Sequence, residues 1–541
     1  MRSIFYTTLL SAMVMRIAYT QPVTSITDLN PATSHAFPEG TFFGAPIHLT
    51  ALGNKLLFAA NDGVHGYELW ASDGNSGGAT LLKDIKPGAG NSNISGFTEF
   101  NGKIYFSADD GVSGLELWVT DGTPEGTAQL KDLRPGAGGS NPRYLTLANN
   151  LLFFSADQPG SIPALWQSDG TLDGTIVTPG LSFSGLGPSQ LTALGGKLYF
   201  AGPDRELWVT DGSAAGTFRV KEISPAASNS YIEEMAALGG KLYFSADDEP
   251  SNSEPWVSDG TEAGTFKLRE IEPGVFSGSN PRKFHYFKNR VWFSASGLLW
   301  TTEGTPDGTD MFKNLSVFPA SNDPACFFSD SARLYFPADD GQTGYELWRT
   351  DGTPAGTDLV KNINPNVSSS YPEELTPGAG GLLYFRAYTG SDGWELWQSD
   401  GTTAGTTRLA DIRPGPESSY PQAFTRLDNT LYFVADDGIR GRELWKLDLS
   451  TGLPTPVSSD RLFSLSPNPA NTFLQVHLTP PASGAGCSLR LFDMAGQVIC
   501  AAENITSDTW SVPVGHLSAG MYSLVLVSEQ RVQSARVAVV H

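Results

Sequence analysis

The stretch Tyr105–Leu147, YFSADDGVSGLELWVTDGTPEGTAQLKDLRPGAGGSNPRYLTL, decides the fold because the chain repeats it. Its tryptophan, Trp118, has counterparts at Trp70, Trp166, Trp208, Trp256, Trp300, Trp348, Trp397 and Trp445. Most of these lie 48 or 49 residues apart, and two intervals shrink to 42 and 44. Each copy holds four short strand candidates, for example Tyr144–Leu147, Lys103–Ala108, the ELWVT segment and Ala128–Leu133. All show some period-2 alternation and are bounded by Gly, Asp, Asn or Pro. From the second-strand Phe to the Trp there are 12 residues in seven copies, but 8 at Phe200–Trp208 and 7 at Phe293–Trp300. The length variation therefore sits mainly in one hairpin.

Four antiparallel strands per period is the arithmetic of a β-propeller blade. The reading is an all-β, nine-bladed β-propeller, with eight blades or a β-solenoid as alternatives. The nine tryptophans are expected to bury the faces between blades, at roughly 2–3 kcal/mol each. Asp73, Asp121, Asp169, Asp211, Asp259, Glu303, Asp351 and Asp400 stand where a tight turn joins the third strand to the fourth. There Gly supplies positive φ and Asp holds its own backbone. The ninth copy stops after ELWKLDLSTG, without a fourth strand. A look-alike of the missing strand, SITDLNP (Ser25–Pro31), stands alone before the first copy. Residues near Ser25–Leu29 are therefore expected to pair with Glu443–Leu447 and latch the ring, removing two exposed sheet edges.

The remaining features place the chain outside the cytoplasm. Arg2 and the apolar run Ile4–Met15, ending near Ala18-Tyr19-Thr20, read as a signal peptide over residues 1–20, with Gln21 as the first mature residue. The propeller spans 22–449 and a polar linker 450–460. Residues 461–541 alternate as an immunoglobulin-like β-sandwich. The net charge of -22 opposes nucleic acid or anionic lipid as a general partner. No later run has the roughly 18 apolar residues that a spanning helix needs. Of the three cysteines, Cys487 and Cys500 are left unpaired, since a turn at Asp493–Gln497 sets Cys500 opposite Arg490.

On these motifs, residues of about 45–449 resemble the bacterial ELWxxDGT repeat family, with departures at Glu303 and at Asp448, which lacks the following Gly. That resemblance implies a secreted or surface repeat protein without a shared activity. The C-terminal region resembles the type A sorting domain of Bacteroidetes type IX secretion cargo. The matching positions include Pro467, Asn468 and Pro469, then Asp493 and Gly496, then Gly520 and Tyr522. This second resemblance implies the type IX machinery as partner and removal of both terminal signals. The mature chain would be secreted or attached to the outer cell surface.

Catalytic chemistry is not visible. His35, His48, His65 and His285 have no metal-ligand spacing, and neither HExxH nor GxSxG occurs. No cofactor is expected except Ca²⁺, whose candidate ligands are the hairpin carboxylates Asp62, Asp109, Asp110, Asp247, Asp248, Asp339, Asp340, Asp436 and Asp437. The reading is a monomeric, non-catalytic binding or adhesion platform for a surface glycan or protein. A propeller-type polysaccharide-degrading enzyme and an envelope scaffold are the alternatives.

Overall fold

The computed structural model describes residues 23–30, 36–37, 49–160, 162–183, 187–224, 230–248, 252–274, 278–317, 327–365, 368–378 and 381–449 of a first unit. Of a second unit it describes 463–466, 472–478, 488–492, 498–502, 509–527 and 532–539. The expected signal peptide, linker and Asp493–Gln497 turn, with His35, His48, Cys326 and Cys487, lie outside the described residues.

The first unit is a nine-bladed propeller of four-stranded antiparallel sheets. Blade 2 shows the pattern, with strands Ser95–Phe100, Lys103–Asp109, Leu115–Thr120 and Ala128–Lys131. Alternation sends its side chains to two different neighbours. Ile104, Phe106, Ala108 and Trp118 pack against Leu57, Leu69 and Leu82 of blade 1. Tyr105 and Leu117 face the other way, onto Leu152, Phe154 and Trp166 of blade 3. Nine such interblade clusters close the circle, the last joining Tyr432, Val434 and Leu444 of blade 9 to Phe58 and Trp70 of blade 1.

Blade 9 is completed from the N-terminus. Val23–Ser25 pairs antiparallel with the third strand, Val23 opposite Leu447 and Ser25 opposite Trp445. The ladder thus starts two residues earlier than expected, although Ile26 N still donates to Leu444 O at 2.8 Å. Beyond Ile26 the backbone turns toward a carboxylate: Thr27 Oγ1 donates to Glu443 Oε2 at 2.5 Å and Leu29 N to Oε1 at 3.3 Å. That carboxylate, which the strand pattern does not reveal, ends the ladder.

Seven of the innermost strands carry a bulge after their first residue, as between Arg143 and Thr146. The residue inside each bulge is left-handed: Gly96, Tyr144, Gln190, Glu234, Lys283, Glu374 and Ala423, with φ from 53° to 73°. Past the bulge, threonine hydroxyls tie one inner strand to the next. Thr98 reaches Leu145 O, Thr146 reaches Leu191 O and Thr425 reaches Leu49 O across the closure.

The second unit is a sandwich of a three-stranded and a four-stranded sheet around Leu474, Val476, Leu489, Leu491, Val512, Leu524 and Val537. Cys500 is a free thiol and stands opposite Leu491, not Arg490. A bulge between Leu491 and Phe492 shifts the register by one residue.

Candidate functional site

The two faces of the disc are built differently. On one, the third strand turns into the fourth through the repeated Thr-Asp-Gly-Thr. In blade 2, Asp121 Oδ1 accepts from the N–H of Thr123 at 2.9 Å and from its hydroxyl at 2.6 Å. Thr123 Oγ1 accepts from Gly126 N, and the buried Thr120 and Thr127 hydroxyls meet at 2.7 Å. Asp169, Asp211, Asp259, Asp351 and Asp400 make the same bonds, and Asp73 uses Asn75 instead. The turn hydroxyl and then the turn N–H hold the Asp121 carboxyl below its usual range. Glu303, one methylene longer, is ion-paired with Arg290. The turn glycine is also a contact point: a Cβ on Gly260 would stand 2.2 Å from the Tyr199 hydroxyl of the preceding blade.

Seven of the tryptophans are buried, but Trp208 and Trp300, in the two copies with the shortest second hairpin, are only half-buried. With fewer tip residues above it, Trp208 donates Nε1 to Asp204 at 2.7 Å.

The opposite face carries the hairpins between second and third strands and the links from one blade to the next. They meet there: Ser92 N of the link donates to Tyr67 O, and Asp109 N of the next blade donates to Ser92 O. The hairpin aspartates act locally. Asp62, Asp110, Asp340 and Asp437 each accept the N–H groups two and three residues on. Asp109 and Asp436 bind Lys86 and Arg413, and Asp248 binds Lys267. Asp339 accepts from Gly341 N, and Asp247 N donates to Ser230 O. Among the described residues, no group of three His, Cys, Asp or Glu side chains could hold a metal ion. His65 pairs with Asp62, and His285 bonds Ser329, with burial lowering its pKa.

Sequence reasoning missed the glutamate that opens the ELW motif. Glu68, Glu116, Glu206, Glu254, Glu346, Glu395 and Glu443 are buried at the end of each hairpin. Glu346 accepts from the N–H of Ile363 and Asn364, at 2.8 and 3.2 Å, and from the Ser370 hydroxyl at 2.6 Å. Burial pushes Glu68, Glu346, Glu395 and Glu443 up to about 7. A displaced pKa commonly marks a catalytic acid. These groups are sealed from solvent, and their hydrogen bonds go to the link that leads to the next blade, those of Glu68 through Oε2 alone. They are structural. A signal was available, since a serine follows the glutamate by 24 residues at Glu116–Ser140, Glu346–Ser370 and Glu395–Ser419.

What this face exposes is apolar tips. Ile439, Val112 and Val64 are 85%, 75% and 64% exposed, on the hairpins of the adjacent blades 9, 2 and 1. Tyr371 of the link between blades 7 and 8 stacks on Tyr345 of the blade 7 hairpin at 5.9 Å and on the buried Trp394 of blade 8 at 6.5 Å, with Arg386 5.2 Å over Trp394.

In the second unit, the Tyr522 hydroxyl donates to Ser518 O at 2.8 Å, fixing the turn before the strand Gly520–Val527. Pro467, Asn468, Pro469, Asp493 and Gly496 lie outside the described residues. Among the described residues no helix is long and apolar enough to cross a membrane.

Residues 464–540 match the family described as a secretion system C-terminal sorting domain. No curated protein matches the chain in sequence. Among solved structures it is similar to a prolyl endopeptidase, at 12% identity and TM-score 0.38, over 73% of this chain and 55% of that one. A puromycin-hydrolyzing peptidase of Mycobacterium tuberculosis gives 13% and 0.36, over 77% and 61%. The tricorn protease gives 14% and 0.25, over 90% and 44%. The chain thus spans less than two thirds of each of these three proteins, and likenesses so distant carry no activity across. Its sorting domain is of the Bacteroidetes kind and engages the type IX secretion apparatus, so this is an all-β propeller protein exported to the outside of the cell and held at its surface.

Proposed function

We propose that the propeller is a non-catalytic binding or adhesion platform, and that the face carrying the hairpin tips and interblade links is the surface that binds. Residues 1–20 act as the inner-membrane export signal, 22–449 as the displayed body and 450–460 as the linker to the sorting domain. The mature chain acts as a monomer.

The observation that supports this most is the difference between the two faces. The Asp-Gly-Thr turns repeat one hydrogen-bonded solution, whereas the opposite hairpins vary in length and tip residue. Three neighbouring tips hold an aliphatic side chain out into water on an aspartate-bound turn. Rigid presentation lowers the ordering cost of binding. The carboxylates with raised pKa are sealed inside, which favours binding over hydrolysis.

The test is a glycan and matrix-protein array probed with the full chain, with and without calcium, beside an activity screen on the same glycans. Specific binding without turnover is expected, and the triple substitution V64D/V112D/I439D should abolish it. Turnover of any arrayed glycan, or binding indifferent to the triple variant, overturns the proposal.

A further inference from the structure

A cavity of about 190 Å³ opens between blades 3 and 4 on the binding face, lined by Asn141, Arg143, Tyr144, Asp157, Ser189 and Arg205 among others. Its arginines have no carboxylate partner among the described residues, unlike Arg219, Arg269, Arg290, Arg386, Arg408, Arg413 and Arg440. Among the described residues, the Arg143 side chain has no hydrogen bond or ion pair. Arg205 spends one guanidinium nitrogen on the Ser189 hydroxyl at 3.2 Å, while its Nε is buried without an acceptor. The one carboxylate in the cavity, Asp157, accepts from Asn141 Nδ2 at 3.3 Å.

The backbone has been bent to put Arg205 there. Blade 4 has the shortened hairpin Gly202-Pro203-Asp204-Arg205, closed by Arg205 N to Gly202 O at 3.0 Å. Arg205 takes φ +64°, a conformation that costs a non-glycine residue free energy and persists where something else requires it. Tyr144, the left-handed residue of the blade 3 bulge, stands on the cavity's rim and is 51% exposed.

We propose that this cavity binds the carboxylate of an acidic monosaccharide unit, with Arg143 and Arg205 as the guanidinium clamp. Two guanidiniums against one carboxylate leave room for one negative charge. An ammonium-bearing amino acid would bring a cation to the same pair. The planar guanidinium fork matches a carboxylate. The Ser155 and Ser189 hydroxyls and the Asn141 amide suit sugar hydroxyls, and the Tyr144 ring offers an apolar flank. The cavity holds one ring and no more. The inference names a ligand class within the binding face proposed above and rests on that reading.

The test is calorimetric titration of the full chain with D-glucuronate, with D-glucose, inorganic phosphate and a C-terminally free, N-acetylated dipeptide in parallel. Glucuronate alone is expected to bind, and R143Q and R205G should each weaken it about tenfold or more. The glycine variant relieves the left-handed backbone, so its melting temperature should hold or rise while binding falls. R269Q, at an exposed ion pair far along the chain, should bind as the parent does. No glucuronate binding, equal binding of glucose, preference for phosphate or the peptide acid, or affinity unmoved by R205G each overturns the proposal. A protein that still adheres on the array but ignores glucuronate loses this cavity only. Failure on the array with glucuronate binding intact sinks the broader platform instead.

Discussion

Blades 3 and 6 differ from the other seven in one buried position. Where those seven place the motif glutamate, blade 3 has Ala164 and blade 6 has Leu298. All nine must still carry the chain from an outer strand back to the next inner one, and the buried N–H groups of that link need acceptors. In blade 8, Glu395 supplies them, to Ile412 N at 2.9 Å and to the Ser419 hydroxyl at 2.8 Å. In blade 3 no side chain among the described residues does this, and Thr178 N donates to Leu165 O, a bond that blade 5 also makes from Leu268 N to Pro255 O. In blade 6 the outer strand runs on to Ser316, which exchanges two backbone bonds with Asp339 while Val317 N donates to Gly297 O. The demand that a side chain meets in blade 8 is met in blade 6 by rerouted backbone. A buried carboxylate is thus a substitute for a strand extension, at the cost of its desolvation.

The most damaging way to test this is to give blade 8 the side chain of blade 6 without its backbone. Glu395→Leu should cost roughly 4 kcal/mol in urea unfolding, because several buried donors lose their acceptor together. A loss below about 1 kcal/mol would mean that the link satisfies itself. Next comes the ninth blade, whose glutamate is served by the opposite end of the chain. Ile26→Pro removes the N–H that reaches Leu444 O and a side chain only 2% exposed. It should cost about 3 kcal/mol, whereas Val457→Pro in the proposed linker should leave the melting temperature unchanged.

Acidity separates the two groups of blades more gently. A carboxyl raised from 4.5 to about 7 holds a proton in the native chain that unfolding releases, as for Glu395. Its stabilising share is complete below about 4.5 and is lost as pH rises through 7. The propeller should therefore melt higher at pH 5 than at pH 7.5, and Glu395→Gln should flatten part of that slope. A flat profile in the parent would contradict the sealed carboxyls. The smallest effect belongs to the turn both groups share: Asp121→Ala should cost about 0.5 kcal/mol, with Asp169→Ala in blade 3 shifting the melting temperature no differently.

Tryptophan spacing and the missing last strand made the ring and its closure readable, because both are properties of one line of residues. The inner-strand bulge was not readable. Its left-handed position is filled by Tyr, Gln, Glu, Lys or Ala in six blades, so no glycine marks it. The motif glutamate was hidden by its own placement, since an acidic residue opening an exposed-looking hairpin reads as solvated until the link folds over it. Arg143 and Arg205 belong to different blades, and nothing along the chain announces that one cavity collects both. The second-unit register slipped by one at Cys500 because a bulge leaves no mark in an alternating apolar run.

The closing bond between Thr27 and Glu443 joins positions 416 residues apart. Eight blades can assemble from neighbours in the order they emerge, each contact paying only for a short loop. The ninth cannot. Bringing such distant segments together unaided costs about 5 kcal/mol of chain entropy, and the intervening blades must already be stacked to shorten that search. The first strand of the chain is consequently the last to find its partner. Until it does, blade 9 presents a bare strand edge, open to pairing with another chain in the same state. Ring closure is therefore a kinetic event as well as a stabilising one, and the interval before it is when this protein is most exposed to misassembly.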